Sequence, residues 1–360
     1  MNCQLKYLFW QLLGNFLARK CERTFSVSPD RRKLTSVLTL RPDRLGDVLL
    51  STPVYESIKS SLPQTKLTVI AQAGPAKALE NNPHVDRILI FNPKAPWEIF
   101  RELRSEKFDI AIVLNQVFSA TATTLALLSG SSWRIGYAHP QNVGAFNIRV
   151  PLPETVKPEI EHNLDVLRHM NFPHISKTPT VYPNEATINR IDRLLISLRS
   201  RSDLPMILIK PGTRMKKWGW QIDKFKALYS KIREYDFGEP LLIQGPKEEG
   251  LIVDFQNGMT PPPKVLPLLD IQELACVMKK ADLLICNHTG IMHLASAVKT
   301  SVVAIFKHGN TLRWGPFGVP HIILEERNND CLSPDTVFKE SQKLLFSQTQ
   351  NTSSSLRFSQ

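Results

Sequence analysis

Asp47 stands in Leu38-Thr-Leu-Arg-Pro-Asp-Arg-Leu-Gly-Asp-Val-Leu-Leu-Ser-Thr-Pro53, where a short apolar strand passes into a helix through a loop holding one glycine and two carboxylates. Open α/β sheets bind ligands outside the carboxyl ends of their strands. The helix that follows points free N–H groups and the positive end of its dipole into the same crevice. A carboxylate there can cap the helix or act as a base, and these residues alone leave both roles open. Further along the chain, three more loops carry phosphate-friendly chemistry. Pro211-Gly-Thr-Arg-Met-Lys-Lys-Trp218 offers Gly212 for close backbone approach, with Thr213 and Lys216 or Lys217 as donors to phosphate oxygens. Cys286-Asn-His-Thr-Gly-Ile-Met-His-Leu-Ala295 is a strand end, a small hydroxyl residue and a glycine opening a helix, which is an anion-binding layout. Lys307-His-Gly-Asn-Thr-Leu-Arg-Trp-Gly-Pro-Phe-Gly318 is glycine-rich and basic. His288 and His293 invite a metal, but they have no apparent third ligand and the chain has no Asp-x-Asp pair, so no metal site is expected.

Such loops need strands to hold them. Apolar runs at 37–40, 67–71, 87–91 and 109–114 read as strands, with helix-length segments between them, the first helix running over 47–60. A second alternation has strands at 206–209, 240–244, 283–286 and 302–306 and helices at 221–234 and 271–280. Short buried strands separated by helices imply parallel βαβ units. The expectation is therefore an α/β protein of two Rossmann-like, doubly wound domains facing each other across a cleft. The divisions fall at 1–32 for an N-terminal extension, 33–175 for the first domain, 176–203 for a proline-containing connection, 204–347 for the second domain and 348–360 for a polar, disordered tail.

The chain of 360 residues is 42% hydrophobic and 22% charged, and none of its apolar runs approaches the roughly 20 residues that span a bilayer. Its net charge of +12 favours anionic partners. In the extension, Leu5, Leu8, Phe9, Leu12, Phe16 and Leu17 recur at helical spacing beside Lys6, Arg19, Lys20 and Arg23. That pattern is a basic amphipathic helix, which either lies on an anionic membrane or packs on its own fold. Five scattered cysteines without a C-x-x-C spacing indicate neither a disulfide framework nor a zinc site and fit a reducing cytoplasm. The basic and aromatic residues form no nucleic-acid reader module, so no nucleic-acid partner is expected.

Four motifs in order, Arg44-Leu-Gly-Asp-Val-Leu-Leu-Ser-Thr-Pro53, Lys210-Pro-Gly-Thr213 with Lys216-Lys-Trp218, His288-Thr-Gly-Ile-Met-His-Leu-Ala295 and Arg313-Trp-Gly-Pro316, resemble glycosyltransferase family 9, best known for the lipopolysaccharide heptosyltransferases. The resemblance spans roughly 34–346. It implies a GT-B fold and an inverting transferase that needs no metal or other cofactor. The donor it implies is a nucleotide-diphosphate sugar, commonly ADP-heptose. The acceptor is a lipid-linked oligosaccharide at the cytoplasmic face of the inner membrane, with the protein peripheral on that anionic surface. Carried over by position, Asp47 is the general base. Gly46, Gly212, Thr213, Lys216, His288, Thr289, Gly290 and His293 surround the donor, and Arg41 and Arg44 meet an anionic acceptor. Two segments depart from the family pattern. His288 replaces the usual aspartate before Thr-Gly, and Phe306-Lys-His-Gly309 replaces a Phe-Gly-Pro-like segment followed by Thr. The departures leave two readings: a different donor, or a weakened, non-catalytic binding protein on the same fold.

Overall fold

The computed structural model of the chain describes residues 12, 29–326 and 331–355, with side chains to 347. The amphipathic helix expected over 1–32 lies outside the described residues, apart from Leu12 and the short turn Arg31–Lys33. The chain divides into two compact units, Met1–Tyr182 and Pro183–Gln360.

In the first unit the strands are β1 (Ser36–Leu40), β2 (Lys66–Ala71), β3 (Arg87–Ile90), β4 (Ile110–Val113), β5 (Trp133–Tyr137) and β6 (Ile148–Val150). All pairings are parallel, in the order β3-β2-β1-β4-β5-β6. Central parallel strands are covered on both faces, which is why 37–40 and 110–113 are apolar runs without alternation. Leu38, Leu40, Ala111, Val113 and Phe146 belong to one buried cluster. The winding direction reverses between β1 and β4, and a sheet of this order opens its ligand crevice there.

Sequence periodicity misses β5 and β6, because one contains Gly136 and the other has three residues. Gly136 is required by packing, since a Cβ there would meet the Phe146 ring at 2.7 Å. The helix expected over 47–60 is two helices, Leu45–Leu49 and Thr52–Ser61, with Pro53 in the first turn of the second. Proline has no N–H to continue a helical ladder, so the chain breaks and restarts at 50–51. Asp47 consequently lies inside the first short helix and does not precede it.

The second unit has β7 (Met206–Lys210), β8 (Glu239–Leu242), β9 (Leu283–Asn287), β10 (Ser301–Phe306) and β11 (His321–Glu325), parallel throughout, in the order β11-β10-β9-β7-β8. Its reversal lies between β7 and β9. Asn287, fully buried at the end of β9, donates from Nδ2 to the Pro211 carbonyl at 2.7 Å and accepts from the Trp220 amide at 2.9 Å. One side chain thus clamps both ends of the loop that follows β7. Part of the expected connection 176–203 is a helix, Glu185–Leu198, which belongs to this unit and is tied to the helix Ile271–Lys280 through Asp192 and Lys280 at 2.7 Å. The C-terminal helix, Pro334–Ser355, continues past position 348, where composition indicated a disordered tail.

At the opposite ends of these strands Glu239 is buried and accepts from Lys264, Arg199 and the Ser200 amide. Burial would raise its pKa, but those bonds outweigh burial and bring it from 4.5 down to about 2. The stabilisation is therefore complete at neutral pH, declines as pH falls below the unfolded value and is gone below the folded one. Glu239→Gln should cost roughly 3 kcal/mol in urea unfolding at pH 7, the low end for breaking a buried pair because Lys264 and Arg199 retain some water, and much less at pH 3. Asn287→Ala should cost a similar amount, roughly 3 kcal/mol, by leaving a buried carbonyl and amide unpaired. It should also weaken the near-ultraviolet circular dichroism of Trp218 and Trp220; an unchanged spectrum would show that the loop holds its shape without the clamp.

Candidate functional site

Arg41 leaves the end of β1 and is almost entirely buried. Its Nη1 donates to the Leu114 carbonyl at 3.1 Å, joining the ends of β1 and β4 across the reversal of the first sheet. Its Nη2 donates to Asp47 Oδ1 at 2.7 Å and to Glu159 Oε1 at 2.8 Å, and Nε lies 3.5 Å from Asp43 Oδ2. Burial opposes the guanidinium charge, but Asp47, Glu159 and Asp43 more than offset it and hold the Arg41 pKa above its ordinary value. Arg41 is thus committed within the protein. Its expected role as a contact for an anionic acceptor is replaced by an internal one, whereas Arg44 has an exposed side chain.

Asp47 is oriented from two sides. Oδ1 takes the Arg41 bond, and Oδ2 accepts from the Arg44 amide at 3.3 Å, three residues back. The capping and catalytic readings left open by the sequence are therefore compatible, since a carboxylate offers about four lone-pair sites and these bonds use two. Its side chain keeps 17% exposure. Gly46 is buried beside it in the same short helix. Asp43, also on this loop, accepts from Asn115 Nδ2 at 2.6 Å. Burial, with the nearby Asp47 and Glu159 charges, holds its pKa above the usual carboxylate value despite Arg41 and Asn115.

In the second unit, Thr213, Lys216 and Lys217 line a cavity of about 330 Å³ with Pro211, Trp220 and Lys307. Lys216 and Lys217 are exposed on the turn Lys216–Trp218, while Lys307 is paired with Glu326 at 3.0 Å. Trp218 stacks on His308 with centroids 4.5 Å apart and planes within 9°, and the Arg214 guanidinium lies 5.4 Å above the Trp218 ring. The loops after β7 and β10 therefore meet through aromatic contact. Gly212 leaves room for the Glu248 carboxylate, since a Cβ there would fall 2.1 Å from its Oε1 and displace it. That carboxylate pairs with the buried Lys210 at the end of β7 and accepts from the Gly245 amide at 2.8 Å. Burial pulls the Lys210 pKa below its usual value, with Glu248 pulling the other way.

Thr289 occupies the N-cap position of the helix Gly290–Ala297 in extended backbone and makes no side-chain capping bond to the first turn. His293 is buried within this helix. His288 behaves differently from a free ligand contact. Its ring stacks on Phe306 with centroids 4.3 Å apart, and Nδ1 lies 3.2 Å from the His308 carbonyl, which only accepts, so the proton sits on Nδ1. Burial lowers its pKa, aided by His308 and opposed by that carbonyl, leaving a neutral imidazole at pH 7. Gly309, at φ +94°, would place a Cβ only 3.0 Å from His288 Cε1. The two departures from the family pattern are thus one packed cluster. The sequence reading missed Glu159, Lys210, Glu248 and Asn287, whose signal lies only in pairings across 38 or more positions.

Residues 96–342 match the profile of glycosyltransferase family 9 (heptosyltransferase), a stretch that begins after the Asp47 loop. The chain is 25% identical over 288 residues to lipopolysaccharide heptosyltransferase 3 of Escherichia coli, covering 76% of this chain and 83% of that protein. The crystal structure of a family 9 glycosyl transferase from Veillonella parvula superposes with a TM-score of 0.80 at 19% identity, over 90% of this chain and all of that one. The E. coli heptosyltransferase WaaC, solved with ADP-2-deoxy-2-fluoro heptose, gives 0.67 at 16%, over 86% and 99%. The likeness confirms the GT-B fold. With its matched profile covering more than half of its length, this chain belongs to glycosyltransferase family 9 and is a glycosyltransferase enzyme.

Proposed function

We propose that the enzyme transfers heptose from ADP-heptose, with inversion, to the core of a lipopolysaccharide at the cytoplasmic face of the inner membrane. The observation that carries this reading is Asp47, held by two bonds at the carboxyl end of β1 with lone pairs to spare. A heptosyltransferase 3 relative and a neighbour solved with a fluorinated ADP-heptose support the choice of sugar and nucleotide. The chain's charge of +12 suits an anionic glycolipid and the membrane that carries it. No helix among the described residues is long and apolar enough to cross that membrane.

In the reaction, Asp47 accepts the acceptor hydroxyl proton as that oxygen attacks the anomeric carbon, and the bond from that carbon to the diphosphate oxygen breaks on the opposite face. Lys216, with Thr213, Thr289 and the Gly290 amide, holds the departing diphosphate, so that protein cations and amides carry the developing charge without a metal. Arg44 remains as the exposed cation for acceptor phosphates or carboxylates. The His288 cluster favours a second reading, an altered donor, because a neutral imidazole stands where the family pattern has an anion.

The test is turnover of purified protein with ADP-heptose and lipopolysaccharide, alongside ADP, UDP and GDP hexoses. Product with ADP-heptose supports the first reading, product with another donor alone supports the second, and ADP binding without turnover of any donor overturns both. Asp47→Asn should lower kcat by about 10² to 10⁴ with ADP affinity retained. Lys216→Ala should cost about 10² to 10³ and weaken ADP binding in calorimetry; retained turnover would move the phosphate role to Lys217 or Arg313.

A further inference from the structure

Glu159 is the buried member of the Arg41 cluster and lies on neither substrate-facing loop. It opens the helix Glu159–His169, 118 positions from Arg41, and is 1% exposed. It shares one guanidinium nitrogen with Asp47, at 2.8 Å against 2.7 Å. Sharing matters for two physical reasons. A guanidinium bonded only to Asp47 could swing about its Cγ–Cδ and Cδ–Nε bonds, whereas the further bonds to Glu159 and the Leu114 carbonyl fix its plane. A full positive charge held against a carboxylate also competes with a substrate proton for its lone pairs and makes it a poorer base. A second buried carboxylate on the same nitrogen offsets that charge. Arg41 can then orient Asp47 without claiming its lone pairs outright.

We propose that Glu159 is a positioning residue for Asp47, acting through Arg41 to fix the direction of the carboxylate and to balance the charge beside it. The proposal rests on the general-base reading of Asp47. The charged and titratable groups around Arg41 are Asp43 on the same loop, Asp47 on the first helix, Glu159 and the phenol of Tyr55. Tyr137 on β5 is reached by Glu159, and burial holds both phenols well above their usual range and neutral at working pH.

Glu159→Gln separates charge from shape, because the amide oxygen can still accept from Arg41. Steady-state rates with ADP-heptose and lipopolysaccharide across pH 4.5–9 (approximate range) should show kcat about tenfold lower, KM for ADP-heptose unchanged and the acid limb displaced about one unit to lower pH. An acid limb and kcat that superpose on those of the parent would overturn the proposal, and would do so even if the variant had a lower melting temperature. Glu159→Asp keeps the charge but withdraws it by one methylene, so kcat should fall with the limb in place. It serves also if the glutamine variant does not fold, since an unchanged kcat there would equally remove the positioning role. Asp47→Asn measured alongside separates the two levels. If that variant keeps parental turnover the base reading fails, whereas an inactive Asp47→Asn with a parental Glu159→Gln profile rejects the positioning role alone.

Discussion

A single buried guanidinium organises the first unit. Arg41 is a cation taken out of water, a cost of several kcal/mol unless partners replace the lost hydration. Here the partners come from four places in the chain: its own loop, the first helix, the end of β4 and the helix that starts at Glu159. Removing Arg41 would leave three carboxylates without their shared cation, and removing one partner changes what the others meet, so the cluster behaves as a unit. The orientation of Asp47 and the closure of the sheet at its reversal point therefore depend on the same bond set.

The second unit solves the corresponding problem with a neutral group. Its reversal, between β7 and β9, is bridged by the amide of Asn287, which satisfies a carbonyl and an N–H of the loop it restrains. The difference follows from what each crevice is proposed to hold. A base needs a charge-balanced neighbourhood, while a diphosphate needs free cations and N–H groups, and a committed arginine would only compete with them. Lys210 and Glu248 show the same economy, forming a closed pair under the phosphate-suited loop while Lys216 and Lys217 stay exposed.

Much of this was legible in the chain itself. Unbroken apolar runs specified the central strands, since a strand covered on both faces needs no polar positions, and the glycine and hydroxyl residues beyond them marked the loops. Local pattern fails where structure depends on distant partners. Arg41 reads as a surface cation until Glu159 arrives from 118 positions away. Pro53 splits a helix whose apolar spacing runs on without a break, and β6 is too short to carry a period. The polar composition after 348 is that of an unstructured tail, yet the helix that begins at Pro334 runs on to Ser355. His288 looked like an isolated exchange at a donor-facing position because stacking with Phe306 and the fit against Gly309 have no signature in sequence.

That last cluster constrains substitution as well as chemistry. An aspartate at 288 alone would lose the ring that stacks on Phe306 and the Nδ1 donor that meets the His308 carbonyl. Refilling Gly309 first would drive a side chain into the imidazole from a backbone conformation that disfavours it. Neither single change leaves the packing intact, so positions 288, 306 and 309 are coupled through contact and the effects of substitutions there should not be additive.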